Sequence, residues 1–112
     1  MKRDDSAYLR HILDAIKQVE LYIDGFDEDA FMRNRLVQDG VIRQIEIIGE
    51  ATRYLSPKLR KIYPHVPWAD IGGMRNKLIH NYFGVDIATV WLTAIEDLPL
   101  LKQEIEKILS TL

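Results

Sequence analysis

The sequence contains no cysteine. A disulfide scaffold is thereby excluded, as is any metal site that needs thiolate ligands; a reducing compartment fits. No run approaches the roughly 18 apolar residues that a membrane-spanning helix needs, so no membrane association is predicted. The opening MKRDDSAYLRHILDAI sets two basic residues before acids, with no unbroken apolar stretch behind them. No secretory leader is expected, and the expected location is the cytoplasm. There is no His-Glu-x-x-His motif, no Walker glycine loop and no Glu-x-x-His of the kind that holds paired iron ions in bundles. Neither a metal site, intrinsic ATP hydrolysis nor any cofactor is therefore expected. No serine stands in a nucleophile-elbow context either.

What is present fits one globular domain spanning 1–112. Hydrophobic residues at 47% and charged residues at 29% exclude a disordered chain. The net charge of −2 argues against a non-specific nucleic-acid binder, but the charges are segregated. Residues 1–52 hold 7 Lys/Arg against 11 Asp/Glu, residues 53–85 hold 6 against 1, and residues 86–112 hold 2 against 5. Arg53, Lys58, Arg60, Lys61, Arg75 and Lys77 carry the positive share. A local basic surface attracts phosphate even on an acidic protein; chance clustering in a short chain is the competing reading.

Apolar periodicity is helical throughout. Leu9, Ile12, Leu13, Ile16, Val19 and Ile23 share a face of a helix from about Ser6, capped by Ser6 or Asp5 and stopped at Gly25. Asp27-Glu28-Asp29 opens a short helix through Phe31 and Met32. A long helix over about 35–55 carries two apolar stripes, one through Val37, Val41, Ile45, Ile48 and Leu55, the other through Leu36, Gly40, Ile47, Ala51 and Tyr54. Such a helix is central in its bundle or covered by a partner. Gly40 and Gly49 within it predict close approach of other helices. Ser56-Pro57 caps a short helix ending before Pro64, a further helix is predicted over 70–82 with Gly84 as its cap, and Asp86 opens the last one. There Ile87, Trp91, Ala94, Leu98, Leu101, Ile105, Ile108 and Leu112 form one stripe, with a kink predicted at Pro99. The fold class is all-α, a bundle of four or five helices.

Within the 70–82 helix, RNKLIHNYF breaks the apolar pattern with Arg75, Asn76, His80 and Tyr82. At about 100° per residue, Tyr82 lies nearly above Arg75, and Asn76 shares a line with His80. Arg75 and His80 themselves are about 140° apart on that wheel, so one straight helix does not aim both at one small target. A two-fold dimer that sets Arg75 of one copy against His80 of the other would. The chemistry suits RNA cleavage. A histidine can take a proton from a ribose 2′-hydroxyl or give one to the leaving oxygen. An arginine can hold the phosphate through the transition state, and Asn76 can orient either. Lys77 is a candidate RNA contact or a solvated lysine. On residue types alone, Arg-x4-His is a weak signal, and Tyr82 reads as an amphipathic residue at the core edge.

Arg75-Asn76-Lys77-Leu78-Ile79-His80-Asn81-Tyr82 resembles the Arg-x4-His-x-Tyr motif of HepT-type proteins of the HEPN superfamily. Ile48-Gly49-Glu50-Ala51, Pro67-Trp68 with Ile71-Gly72-Gly73-Met74, and Asp97-Leu98-Pro99 with Leu101 after Val90-Trp91 resemble the same family. The likeness runs from about Ala7 to Leu109. It implies a single HEPN bundle forming a two-fold homodimer, with catalytic Arg75 and His80 in a cleft at the dimer interface. The activity implied is that of a toxin, a metal-independent endoribonuclease. The partner implied is an MntA-type nucleotidyltransferase antitoxin that transfers AMP to Tyr82, placing a phosphate beside Arg75. A non-catalytic HEPN module that binds nucleotide or RNA is the alternative, and a purely structural helical dimer is a third reading. Among the remaining residues, Glu50 reads as an ion-pair partner of Arg53, with a role near the active cleft as the alternative that the Gly49-Glu50-Ala51 resemblance offers; Trp68 and Trp91 read as core anchors, and His11 and His65 receive no function.

Overall fold

The computed structural model describes residues 4–74 and 86–112. Helix α1 spans Asp5–Ile23. Its cap is Asp4, ahead of both predicted caps, Asp5 and Ser6: the Asp4 carboxylate accepts from the Ala7 amide at 3.3 Å and from the Ser6 hydroxyl at 2.6 Å. Asp5 is occupied elsewhere, accepting from the Ser56 amide and hydroxyl. Gly25 adopts φ 78°, the left-handed conformation that ends a helix without a Cβ penalty. Helix α2, Glu28–Met32, is capped by Asp27, and α3, Arg35–Arg53, by Asn34. The Gln38 amide donates to the Phe31 and Met32 carbonyls, binding the end of α2 to the first turns of α3.

Helix α3 is the centre of the bundle and packs on α1 and α2. Val41, Ile45 and Ile48 of its first stripe are fully buried with Leu9, Ile12, Ile16 and Val19 of α1. The second stripe is covered within the chain at its middle and open at its ends. Ala51 is buried, while Leu36 is 83% and Tyr54 44% exposed. At Gly40 the Tyr22 ring comes so close that a Cβ would stand 3.2 Å from it.

Helix α4, Pro57–Ile62, is capped by Ser56 and ends before Pro64. Helix α5, Trp68–Gly72, begins two residues before the helix predicted over 70–82 and closes at Gly73. The rest of that helix and its Gly84 cap lie outside the described residues. Helix α6, Ile87–Leu92, opens at Asp86, passes through a π turn over Thr93–Asp97 and continues as α7, Leu98–Ser110. The disturbance predicted at Pro99 takes this form. Proline has no N–H and its ring clashes with the carbonyl four residues back, and the preceding turn is wide. Val90, Trp91, Ala94, Leu98, Leu101, Ile105 and Ile108 are buried, whereas Leu112, predicted on the same stripe, is 67% exposed. Trp91 packs on Phe31 at 5.1 Å between ring centroids, and Trp68 is buried with its indole N–H on the Tyr63 carbonyl at 2.9 Å. Both tryptophans are core anchors, and the all-α class is borne out. Among the described residues no helix is long and apolar enough to cross a membrane.

Candidate functional site

Arg75, Asn76, Lys77, His80 and Tyr82 lie outside the described residues. The structure describes the frame from which that segment leaves and to which it returns. On the leading side, α5 is pressed against α3 at two glycines. A Cβ on Gly49 would stand 3.4 Å from the carbonyl oxygens of Ile71 and Gly72, so only a very small residue lets the helices meet this closely. Arg53, at the last turn of α3, donates its Nε to the Gly72 carbonyl at 3.1 Å. That carbonyl lies three residues before Arg75. Arg60 in turn donates an Nη2 to the Thr52 carbonyl at 2.8 Å and to the Arg53 carbonyl at 3.1 Å. The last carbonyls of a helix lack intrahelical partners, and a guanidinium satisfies them while complementing the negative end of the dipole. The Nε of Arg60 is buried with no hydrogen-bond partner among the described residues.

These contacts revise two sequence expectations. Arg53 forms no ion pair with Glu50 among the described residues; its Nε is directed at backbone. Of the basic residues between 53 and 85, Arg53 and Arg60 hold the chain's own carbonyls, and Lys58 and Lys61 are the exposed lysines of α4. The basic stretch is therefore partly internal scaffolding. Sequence reasoning missed this role because the acceptors are backbone oxygens, which carry no residue-type signal.

On the returning side, Asp86 accepts from the Thr89 hydroxyl at 2.8 Å and from the Thr89 amide at 3.2 Å. The hydroxyl first and the amide second hold its carboxyl below the usual aspartate range. The frame is tied across the bundle by His65, whose Nε2 lies 2.7 Å from a Glu104 carboxylate oxygen on α7. That hydrogen bond, more than any other influence, holds the Glu104 carboxyl below its usual range. His65 had no companion at ligand spacing in the sequence; its partner lies 39 residues away along the chain. His11 lies beside the Tyr8 ring, at 6.4 Å between centroids, and Tyr8 stacks on Tyr54 at 5.3 Å. Among the described residues no three His, Asp or Glu side chains converge as a metal-ligand set.

Between the α3–α5 junction and the α6 cap, the sequence of this helical bundle carries an Arg-x4-His-x-Tyr segment. Residues 12–108 match the family described as Ribonuclease HepT-like, and the chain belongs to that family. It is 45% identical over its whole length to a "Gamma-glutamylcyclotransferase and putative RNase" of Methanocaldococcus jannaschii, of which it spans 50%. A "Putative RNase" of the same organism is 42% identical over 99% of this chain and 96% of its own. A "Probable ribonuclease HepT" of Thermococcus cleftensis is 40% identical over 96% and 98% respectively. No solved structure matches the chain.

Proposed function

We propose that the chain, as one HEPN domain over 1–112, is an endoribonuclease that cuts RNA without a metal ion and acts as the toxin of a two-component pair. The observation that carries this reading is the Arg75-x4-His80-x-Tyr82 pattern inside a chain of the HepT-like ribonuclease family. In the proposed reaction His80 takes the proton of a ribose 2′-hydroxyl, and the resulting oxygen attacks the adjacent phosphorus. The bond to the 5′-oxygen breaks, leaving a 2′,3′-cyclic phosphate, and the protonated His80 gives its proton to that oxygen. Arg75 neutralises the charge gathered on the phosphorus oxygens. Asn76 orients the imidazole or the phosphate, and Lys77 contacts the RNA backbone. A two-fold homodimer brings Arg75 of one copy to His80 of the other, answering their separation on the helical wheel.

The same reading gives Tyr82 a regulatory role in the cytoplasm. A partner nucleotidyltransferase of the MntA type would join the Tyr82 oxygen to the α-phosphorus of ATP, releasing pyrophosphate. The new phosphodiester would compete with RNA for Arg75, and the adenosine would fill the cleft.

Cleavage of total cellular RNA in EDTA, by mass-verified unmodified protein and by His80→Ala, tests the proposal. Cleavage by the first and its loss in the second is the expected result. A folded, unmodified protein that leaves RNA intact overturns it and favours a non-catalytic HEPN module that binds nucleotide or RNA.

A further inference from the structure

A groove of about 800 Å³ runs between α5 and the helix formed by α6, the π turn and α7. Its floor is apolar, with Ile71, Leu98 and Leu101 buried beneath it. Leu100 stands at its edge, 64% exposed. Asp70 from α5 and Asp97 from the π turn, both exposed, line opposite walls. No lysine or arginine lines it among the described residues. Glu104 also lines it, but is shared with His65 at 2.7 Å and has Lys107 at 3.9 Å. Among the described residues, Asp70 and Asp97 are the groove acids that enter no ion pair.

We propose that this groove is a docking surface for a protein segment that presents an apolar side chain flanked by lysine or arginine. Charge complementarity selects that occupant. Carboxylates on both walls repel the phosphates of a nucleic acid and attract cationic side chains, while the floor and Leu100 reward an apolar anchor. A π turn widens its helix and re-aims the side chains on it, and here it supplies one wall. Along the chain the groove leads toward the motif: Met74, in its lining, immediately precedes Arg75. A protein held here is thus bound at the residue that leads in sequence into Arg75. The inference stands whether or not the chain cleaves RNA.

The test is amide-resolved NMR of the full labelled chain. The probes are a synthetic Lys/Leu amphipathic helical peptide, the same peptide with Glu for Lys, and a short poly-uridine RNA. The Lys/Leu peptide is expected to give saturable shifts centred on Asp70, Thr93, Asp97 and Leu100, with little response to the Glu version. Affinity is expected to fall at least tenfold in Asp70→Asn/Asp97→Asn and in Leu100→Ser. A control pair of acidic residues, Asp14→Asn on α1 and Asp24→Asn at its C-terminal cap, is expected to bind as the parent does. All sites substituted are exposed, and melting curves confirm that each variant folds. Equal affinity in the groove variants and parent, or shifts spread evenly over all acidic surfaces, overturns the proposal. So does RNA occupying the same residues at comparable affinity.

Discussion

The Asp5 carboxylate accepts both donors of Ser56, the amide at 2.8 Å and the hydroxyl at 2.6 Å, across 51 residues of sequence. Ser56 has one hydroxyl proton. Committing it to Asp5 leaves an oxygen lone pair for the Leu59 amide, 3.2 Å away, which opens α4. The start of the first helix thereby orients the cap of the fourth.

Removing that carboxylate tests the link. Asp5→Ala leaves a part-buried amide and hydroxyl without their acceptor, and a loss of about 1.5–3 kcal/mol in urea unfolding is expected, the range for hydrogen bonds to a charged group. Asp14→Ala, on the exposed side of the same helix, is expected to stay within about 0.5 kcal/mol of the parent.

The same residue marks how far the sequence could be read. Helix positions followed from apolar spacing, because burial of one face is a local pattern: Ile12, Ile16 and Val19 on α1, and Ile105 and Ile108 on α7, face inward as their spacing predicts. Gly40 and Gly49 marked close approaches for the same reason. Which acid caps α1 was not legible, since the contest between Asp4 and Asp5 is decided by Ser56, a residue distant in the chain. Nor was the use of Arg53 and Arg60 as clamps on carbonyls, or the pairing of His65 with Glu104. The Arg75–Tyr82 motif was recognisable only as a string of residue types.

Arg53 sits in the described part of that frame. Arg53→Ala removes the Gly72 bond and is expected to cost about 1 kcal/mol in stability. If the chain is a ribonuclease, kcat/KM is expected to fall on the order of tenfold in protein that is still folded, because the chain three residues before Arg75 loses its anchor. Arg53→Lys, without the planar fork, is expected to rescue stability more than activity. Unchanged cleavage in Arg53→Ala would show that the clamp does not set the motif's position.

Gly49 offers a size series. A methyl group at 3.4 Å from the Ile71 and Gly72 oxygens is in ordinary contact, and alanine favours a helix by about 1 kcal/mol over glycine. Gly49→Ala is therefore expected to be neutral or stabilising by up to about 1 kcal/mol. Gly49→Val forces two further methyl groups between α3 and α5 and is expected to cost about 1–3 kcal/mol. Thermal melting of the pair checks both signs.

The His65–Glu104 contact gives a pH dependence with a definite sign. Glu104 titrates lower in the folded chain than an ordinary glutamate, chiefly through its bond to His65. Its contribution to stability is thus complete above the ordinary glutamate range and is lost as pH falls through the depressed value. Carboxyl NMR of Glu104 is expected to show a low midpoint that rises in His65→Ala, though Lys107 continues to favour the charged form. A midpoint unmoved by the substitution would remove His65 as the cause.

The π turn has a consequence for chain length. The Leu98 amide reaches back five residues to the Thr93 carbonyl, where an α-helix reaches back four. Residues 93–97 therefore hold one residue of slack. Deleting a residue there lets the turn tighten to an ordinary helix, with Trp91 before it and Leu101 after it still facing inward. The same deletion elsewhere in α6 or α7 turns everything downstream by about 100° and swings Ile105 and Ile108 out of the core. Length variation among relatives in this helix should accordingly gather at the turn before Pro99, the one stretch of it where the chain can lose a residue without losing its inner face.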